Sequence, residues 1–153
     1  YYPNLIITQT LSKAFGLAGI RLGFCMASEE IINILNKIKP PYNINSLTQE
    51  RAISALEDCD ATTEQITQLI EERKRLFAQL ETISFVEKVY PSDANFLLVR
   101  VDDANKRYTQ LIQNDIVVRN RSKQVGCENC LRFSIGTPQE NQILIETLNL
   151  LSS

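Results

Sequence analysis

A chain of 153 residues with 44% hydrophobic content is long enough for one sizeable core or two small ones. Sixteen basic residues against eighteen acidic, with no long basic run, exclude an obvious nucleic-acid or anionic-membrane surface, and no apolar stretch approaches membrane-spanning length. No charged-then-apolar leader opens the chain, so the expected setting is cytoplasmic.

In chain order, Asn4 to Thr10 reads as a buried strand, because its apolar residues are continuous and β-branched. A connection containing Gly16 and Gly19 follows, and Arg21 to Ala27 is a second strand. A helix starts at Ser28 with Ile31, Ile34, Leu35 and Ile38 on one face, and Pro40-Pro41 end it. Ser46-Leu47-Thr48-Gln49 has the form of a capping box opening a helix to about Glu57. Asp60 is placed to cap a third helix, in which Ile66, Leu69, Ile70, Phe77 and Leu80 repeat with helical period and Arg73 sits near the buried seam or snorkels from it.

The pattern then changes. Phe85 to Tyr90 and Asn95 to Val101 are short strands around the turn Pro91-Ser92-Asp93. Asp103 to Asn114 is a helix, and Ile116 to Arg119 and Cys130 to Ser134 are strands joined by a polar loop. Thr137-Pro138-Gln139-Glu140 starts a last helix, whose apolar face is Ile143, Leu144, Leu148 and Leu151. The second half thus reads as an α+β layer, helices over a mostly antiparallel sheet.

Thr10-Leu11-Ser12-Lys13-Ala14-Phe15-Gly16-Leu17-Ala18-Gly19-Ile20-Arg21-Leu22-Gly23 concentrates two hydroxyls, a lysine, an arginine and three of the five glycines. A desolvated lysine beside a cation has a lowered pKa, and its neutral amine attacks aldehydes. Hydroxyls and a planar guanidinium suit a phosphate. From residue types alone, a solvated lysine at a strand-to-loop transition is the more common arrangement. A nucleotide-binding phosphate loop is excluded, because it needs glycine before the lysine and a hydroxyl after it; here Ser12 precedes and Ala14 follows.

The same stretch resembles the cofactor-lysine motif of fold-type I, class I/II aminotransferases, and most closely their histidinol-phosphate branch. Pro41-Tyr42-Asn43, Ser92-Asp93-Ala94-Asn95-Phe96, Ile116-Val117-Val118-Arg119 and Cys130-Leu131-Arg132-Phe133-Ser134-Ile135-Gly136-Thr137-Pro138 are similar to segments of that branch, in the same order. The resemblance implies an α/β architecture: residues 1–45 the last piece of a cofactor-binding large domain, 46–60 an inter-domain helix, and 61–153 the small C-terminal α+β domain. It implies pyridoxal 5′-phosphate as cofactor, held as a Schiff base by Lys13, with Arg21, Ser12 and Thr10 on its phosphate. Arg132 would bind the substrate α-carboxylate, and Arg119 the substrate phosphate or the glutamate side-chain carboxylate. The implied reaction moves an amino group between glutamate and imidazole-acetol phosphate in histidine biosynthesis, through small-molecule amino-acid and keto-acid substrates, in a homodimer.

Several alternatives stay open. Arg119 and Arg121 could equally be surface charges. Tyr42 and Asn43 are expected to pack, and Asn95 to fix a turn. A sister aminotransferase, a phospho-amino-acid decarboxylase or a non-catalytic α+β interaction domain would also carry much of the pattern. The chain begins Tyr1-Tyr2-Pro3, and its one methionine is Met26. The family's ring-nitrogen aspartate and its other upstream cofactor residues are not among its residues. The expectation is a C-terminal portion that is inactive alone and prone to self-association. Cys127-Glu128-Asn129-Cys130 has CxxC spacing, but no histidine is present to complete a metal site, so no metal is expected and the thiols are read as reduced.

Overall fold

The computed structural model describes residues 2–57 and 59–152. The chain divides into two compact units, Tyr1–Gln65 and Ile66–Ser153. In the first, β1 (Ile7–Thr10) and β2 (Gly23–Met26) pair antiparallel, Ile7 opposite Met26 and Thr10 opposite Gly23. A side chain at Gly23 would place its Cβ 2.8 Å from the Gln9 carbonyl, so glycine is what lets the strands approach.

The expectation of a buried first strand is corrected. All four β1 residues are exposed, and Leu5, Ile6 and Ile7 are each about half exposed. Among the described residues β1 pairs only with β2, and a two-stranded ribbon cannot cover both faces of an apolar run. The strand also begins later than expected, because Leu5 N–H bonds to Tyr2 O and closes a turn over Pro3-Asn4.

Helix α1 (Glu29–Ile38) starts after Ser28 and ends before the double proline. Of its expected apolar face, Ile31 and Leu35 are half-buried while Ile34 and Ile38 are exposed. Helix α2 (Ser46–Glu57) is capped one residue earlier than expected: Asn45 Oδ1 accepts from Thr48 N–H at 2.9 Å, so Ser46 lies in the first turn. The small core of this unit joins Leu11, Leu17 and Ala52, with Phe15, Ile20, Leu22 and Ala55 packed on it.

Helix α3 (Cys59–Leu80) begins before Asp60, which therefore sits in its first turn rather than capping it. In the second unit β3 (Val86–Val89), β4 (Phe96–Val101), β6 (Cys130–Ser134) and β5 (Arg119–Asn120) form an antiparallel sheet in the order β3-β4-β6-β5. The alternation in β4 explains its two faces. Leu97, Val99 and Val101 are fully buried, and with Leu131 and Phe133 of β6 they join Leu76 and Leu80 of α3, Leu111 of α4 (Ala104–Gln113) and Leu144, Ile145 and Leu148 of α5 (Pro138–Leu150) in one core. At roughly 1.5–3 kcal/mol for each large buried apolar side chain, this cluster dominates the stability of the unit. The opposite face carries Phe96, Leu98, Arg100, Cys130 and Arg132.

Strand β5 is shorter than the expected Ile116–Arg119. Asp115 takes a left-handed φ of 61°, and Ile116 N–H returns to Leu111 O. These residues terminate α4, so pairing with β6 begins only at Arg119.

Candidate functional site

The segment between β1 and β2 is shaped by backbone bonds. Leu11 N–H donates to Leu22 O at 3.1 Å, which extends the β1–β2 register one step and makes Ser12 and Arg21 the next residues on the two strands. Leu17 N–H bonds to Leu11 O at 2.9 Å, and both leucines are buried, which pins the loop from beneath. Gly16 N–H bonds to Lys13 O at 2.9 Å, with Gly16 at a left-handed φ of 65° where a Cβ would be strained. A short 3₁₀ turn at Ala18–Ile20 delivers Arg21, itself left-handed.

The side chains divide by role. Thr10 Oγ1 accepts from Ser12 N–H at 3.1 Å and faces Leu22 O at 3.5 Å, so this hydroxyl fastens the loop. Arg21 Nη1 donates to Ala18 O at 3.0 Å, which fixes the guanidinium while leaving its other donors available. Lys13 is exposed and Ser12 half-buried. Among the described residues no carboxylate pairs with Lys13 or Arg21. Nothing lies within 4 Å of a Cβ built on Gly16 or Gly19, so the loop is open above these positions. An unpaired cation, a free hydroxyl and an amine around an open glycine turn fit a phosphate-bearing aldehyde. A groove lined by Phe24, Cys25, Ile32, Leu35 and Ile38 contains none of these residues.

The second group lies in the other unit. Arg119 of β5 and Arg132 of β6 are direct register partners. The Arg132 guanidinium sits 5.1 Å from the centre of the Phe96 ring, and its Nε is buried without a hydrogen-bond partner. Neither arginine has a carboxylate partner among the described residues. Two arginines paired across the strands, one with an unmet buried donor, are suited by their chemistry to an anion.

The sequence missed neighbours on this face. Arg100 lies opposite Cys130 and Lys88 opposite Arg100, both cations approaching the Tyr90 ring, at 6.0 and 4.9 Å. The alternation of β4 was the available signal, since Arg100 falls on the same side as Phe96. The turn before β4 is held by Ser92, not by Asn95: Ser92 Oγ donates to Phe96 O at 2.7 Å and accepts from Ala94 N–H at 3.1 Å. Arg73 adds a 2.9 Å bond to Ala94 O and a 3.6 Å ion pair with Asp93. Tyr42 is 98% exposed at a φ of 56°, so the packing expected of it is not made.

The chain matches the family Aminotransferase class I and II over residues 1–148 and belongs to it. Among its relatives, the histidinol-phosphate aminotransferase of Flavobacterium johnsoniae is 62% identical over 151 residues, 99% of this chain and 43% of that protein. The crystal structure of the histidinol-phosphate aminotransferase from Clostridium acetobutylicum superposes with a TM-score of 0.89 at 30% identity, covering 99% of this chain and 46% of that one. The Sinorhizobium meliloti histidinol-phosphate aminotransferase, solved in complex with pyridoxal-5′-phosphate, gives 0.83 at 25% identity, with coverage of 98% and 41%. The chain therefore spans less than half the length of the relatives it matches.

Proposed function

We propose that this chain is the C-terminal portion of a cytoplasmic, homodimeric histidinol-phosphate aminotransferase, which transfers an amino group between glutamate and imidazole-acetol phosphate. The observation that carries the reading is the Lys13 loop, an exposed amine beside Ser12 and Arg21 with no competing carboxylate among the described residues, in a chain of this family. When bound, pyridoxal 5′-phosphate supplies the electron sink. Lys13 Nζ would hold it covalently and, when free, would move a proton at the substrate Cα. Ser12 Oγ and the free donors of Arg21 hold the cofactor phosphate, and Thr10 positions Ser12 through the bond to its backbone. Arg132 takes the substrate α-carboxylate in its planar fork, and Arg119 takes the substrate phosphate or the glutamate side-chain carboxylate. Turnover is assigned to the full-length protein, not to this segment alone.

The test uses the full-length protein that contains this segment. Borohydride reduction with the cofactor bound places the label on the peptide containing Lys13, and Lys13→Ala abolishes it. Glutamate with imidazole-acetol phosphate yields 2-oxoglutarate and histidinol phosphate. Label scattered over many lysines defeats the assignment of Lys13; carbon dioxide release from a phosphorylated amino acid, without amino transfer, defeats the assignment of the reaction.

A further inference from the structure

The motif Cys127-Glu128-Asn129-Cys130 is not used by this reading, yet its geometry is specific. It folds as a hydrogen-bonded turn in which Cys130 N–H donates to Cys127 O at 3.0 Å. Asn129 supplies a left-handed φ of 54° at the third position, as a type II turn requires. A four-residue turn of this kind keeps its end Cα atoms within about 7 Å, which overlaps the roughly 4.4–6.8 Å spanned by a disulfide. Both thiols are free. They differ in access: Cys127 is half-buried, whereas Cys130 is wholly buried. Burial pushes the Cys130 thiol up, and the Arg100 guanidinium opposes this; the Cys130 Sγ lies 3.5 Å from Glu128 O within the same turn.

We propose that Cys127 and Cys130 form a thiol–disulfide exchange site whose substrates are small-molecule disulfides of the glutathione class. Cys127, the accessible member, gives up its proton to solvent and attacks one sulfur of glutathione disulfide, releasing one glutathione thiolate. Cys130 then loses its proton and attacks the Cys127 sulfur, which releases the second glutathione. Two electrons pass from the cysteine pair to glutathione disulfide, and the two protons are taken up as two glutathione thiols form. The linkage has a structural target. Cys130 opens β6, its carbonyl accepts from Arg121 N–H at 2.8 Å, and Arg132 lies two residues on, in register with Arg119. Oxidation fastens the turn at the end of the strand pair that carries both arginines. The inference stands on the turn alone and does not depend on the aminotransferase reading.

The experiment equilibrates the chain in glutathione buffers of rising oxidised-to-reduced ratio, quenches in acid, alkylates and maps peptides by mass spectrometry. The peptide spanning Cys127 and Cys130 loses both alkylatable thiols together, carries no glutathione, and is lighter by two hydrogens. Preorganisation by the turn shifts this equilibrium toward the linked form by at least about tenfold over the urea-unfolded chain. Cys130→Ser leaves Cys127 as a mixed disulfide with glutathione, and Cys127→Ser leaves no internal linkage. The proposal is overturned if the wild-type chain keeps both thiols, stops at the mixed disulfide, or forms the linkage no more readily folded than unfolded.

Discussion

Arg107 is 8% exposed, and its environment shows how a single cation can hold a small sheet domain together. Its Nε and Nη2 donate to the two carboxylate oxygens of Asp102 at 2.9 and 2.8 Å, and Nη1 reaches Gln110 Oε1 and Leu151 O at 3.1 and 3.0 Å. The guanidinium also stacks 3.8 Å from the centre of the Phe85 ring. One side chain thus ties the end of β4, helix α4 and the C-terminal end of α5. The hydrogen bonds from Arg107 hold the Asp102 carboxyl below its usual range. A carboxylate with a depressed folded pKa adds stability that is complete above its unfolded value, near about 3.9, and is lost as pH falls through the folded value. Thermal melts followed by circular dichroism should therefore show wild-type stability declining below about pH 4, and Asp102→Asn should flatten that acid limb. Arg107→Ala should cost about 2–3 kcal/mol at neutral pH through lost charge-assisted bonds. An acid limb of Asp102→Asn as steep as that of wild type would remove Asp102 from the account.

At the scale of elements, the junction after β6 combines two devices. Thr137 Oγ1 accepts from Glu140 N–H at 3.3 Å, while Glu140 Oε2 accepts from Thr137 N–H at 2.7 Å, with Pro138 at the first helical position. The Thr137 N–H, and its hydroxyl donating to the same Glu140 Oε2 at 2.9 Å, also lower the Glu140 pKa. Below the cap, Asn141 brackets Gly136 through bonds to its N–H and C=O at 3.0 and 3.1 Å, and donates to buried Glu72 at 2.8 Å. Thr137→Ala removes one cap from a helix that its buried face still anchors, so urea melts should show a loss of about 1 kcal/mol. Leu131→Ala opens a cavity in the core cluster beside β4 and should cost about 2–5 kcal/mol. The opposite ranking would mean that the cap, rather than the packed sheet face, sets the stability of this unit.

This α5 cap was legible in the sequence because cap, proline and glutamate sit within four residues. Strands β4 and β6 were legible because apolar residues alternate with polar ones or lie continuous between turns. The Asn45 cap was not, because Ser46-Leu47-Thr48-Gln49 presents a competing box one residue later. The site was legible as a list of residues: the unpaired Arg132 stood out in an apolar strand, and Lys13 and Arg21 in a glycine-rich loop. Its geometry was not. The adjacency of Arg119 and Arg132 depends on β5–β6 register, which is set by how α4 terminates at Asp115, and the positions of Lys88 and Arg100 depend on the β3–β4 pairing.

At the scale of the whole chain, the contrast between the units is thermodynamic. The cluster in Ile66–Ser153 joins sixteen buried residues from three strands, three helices and their connections, whereas that in Tyr1–Gln65 rests on Leu11, Leu17 and Ala52. Ile7, Phe24 and Met26 on the β1–β2 ribbon remain 49%, 43% and 48% exposed, and Ile38 at the end of α1 71%. A two-stranded ribbon with exposed apolar faces is marginal by itself, and apolar patches of this kind drive association. Native-state hydrogen exchange should therefore resolve two levels of protection. Amides of Leu97–Val101 and Leu131–Phe133 should exchange only through global opening of their unit, and those of Ile7–Thr10 orders of magnitude faster. Raising the protein concentration should slow exchange in β1 and β2 selectively, because self-association covers those faces and not the buried sheet of the other unit. Equal protection in both units, independent of concentration, would show that the ribbon is stabilised within a single chain and that its apolar faces are not the sticky surface of this molecule.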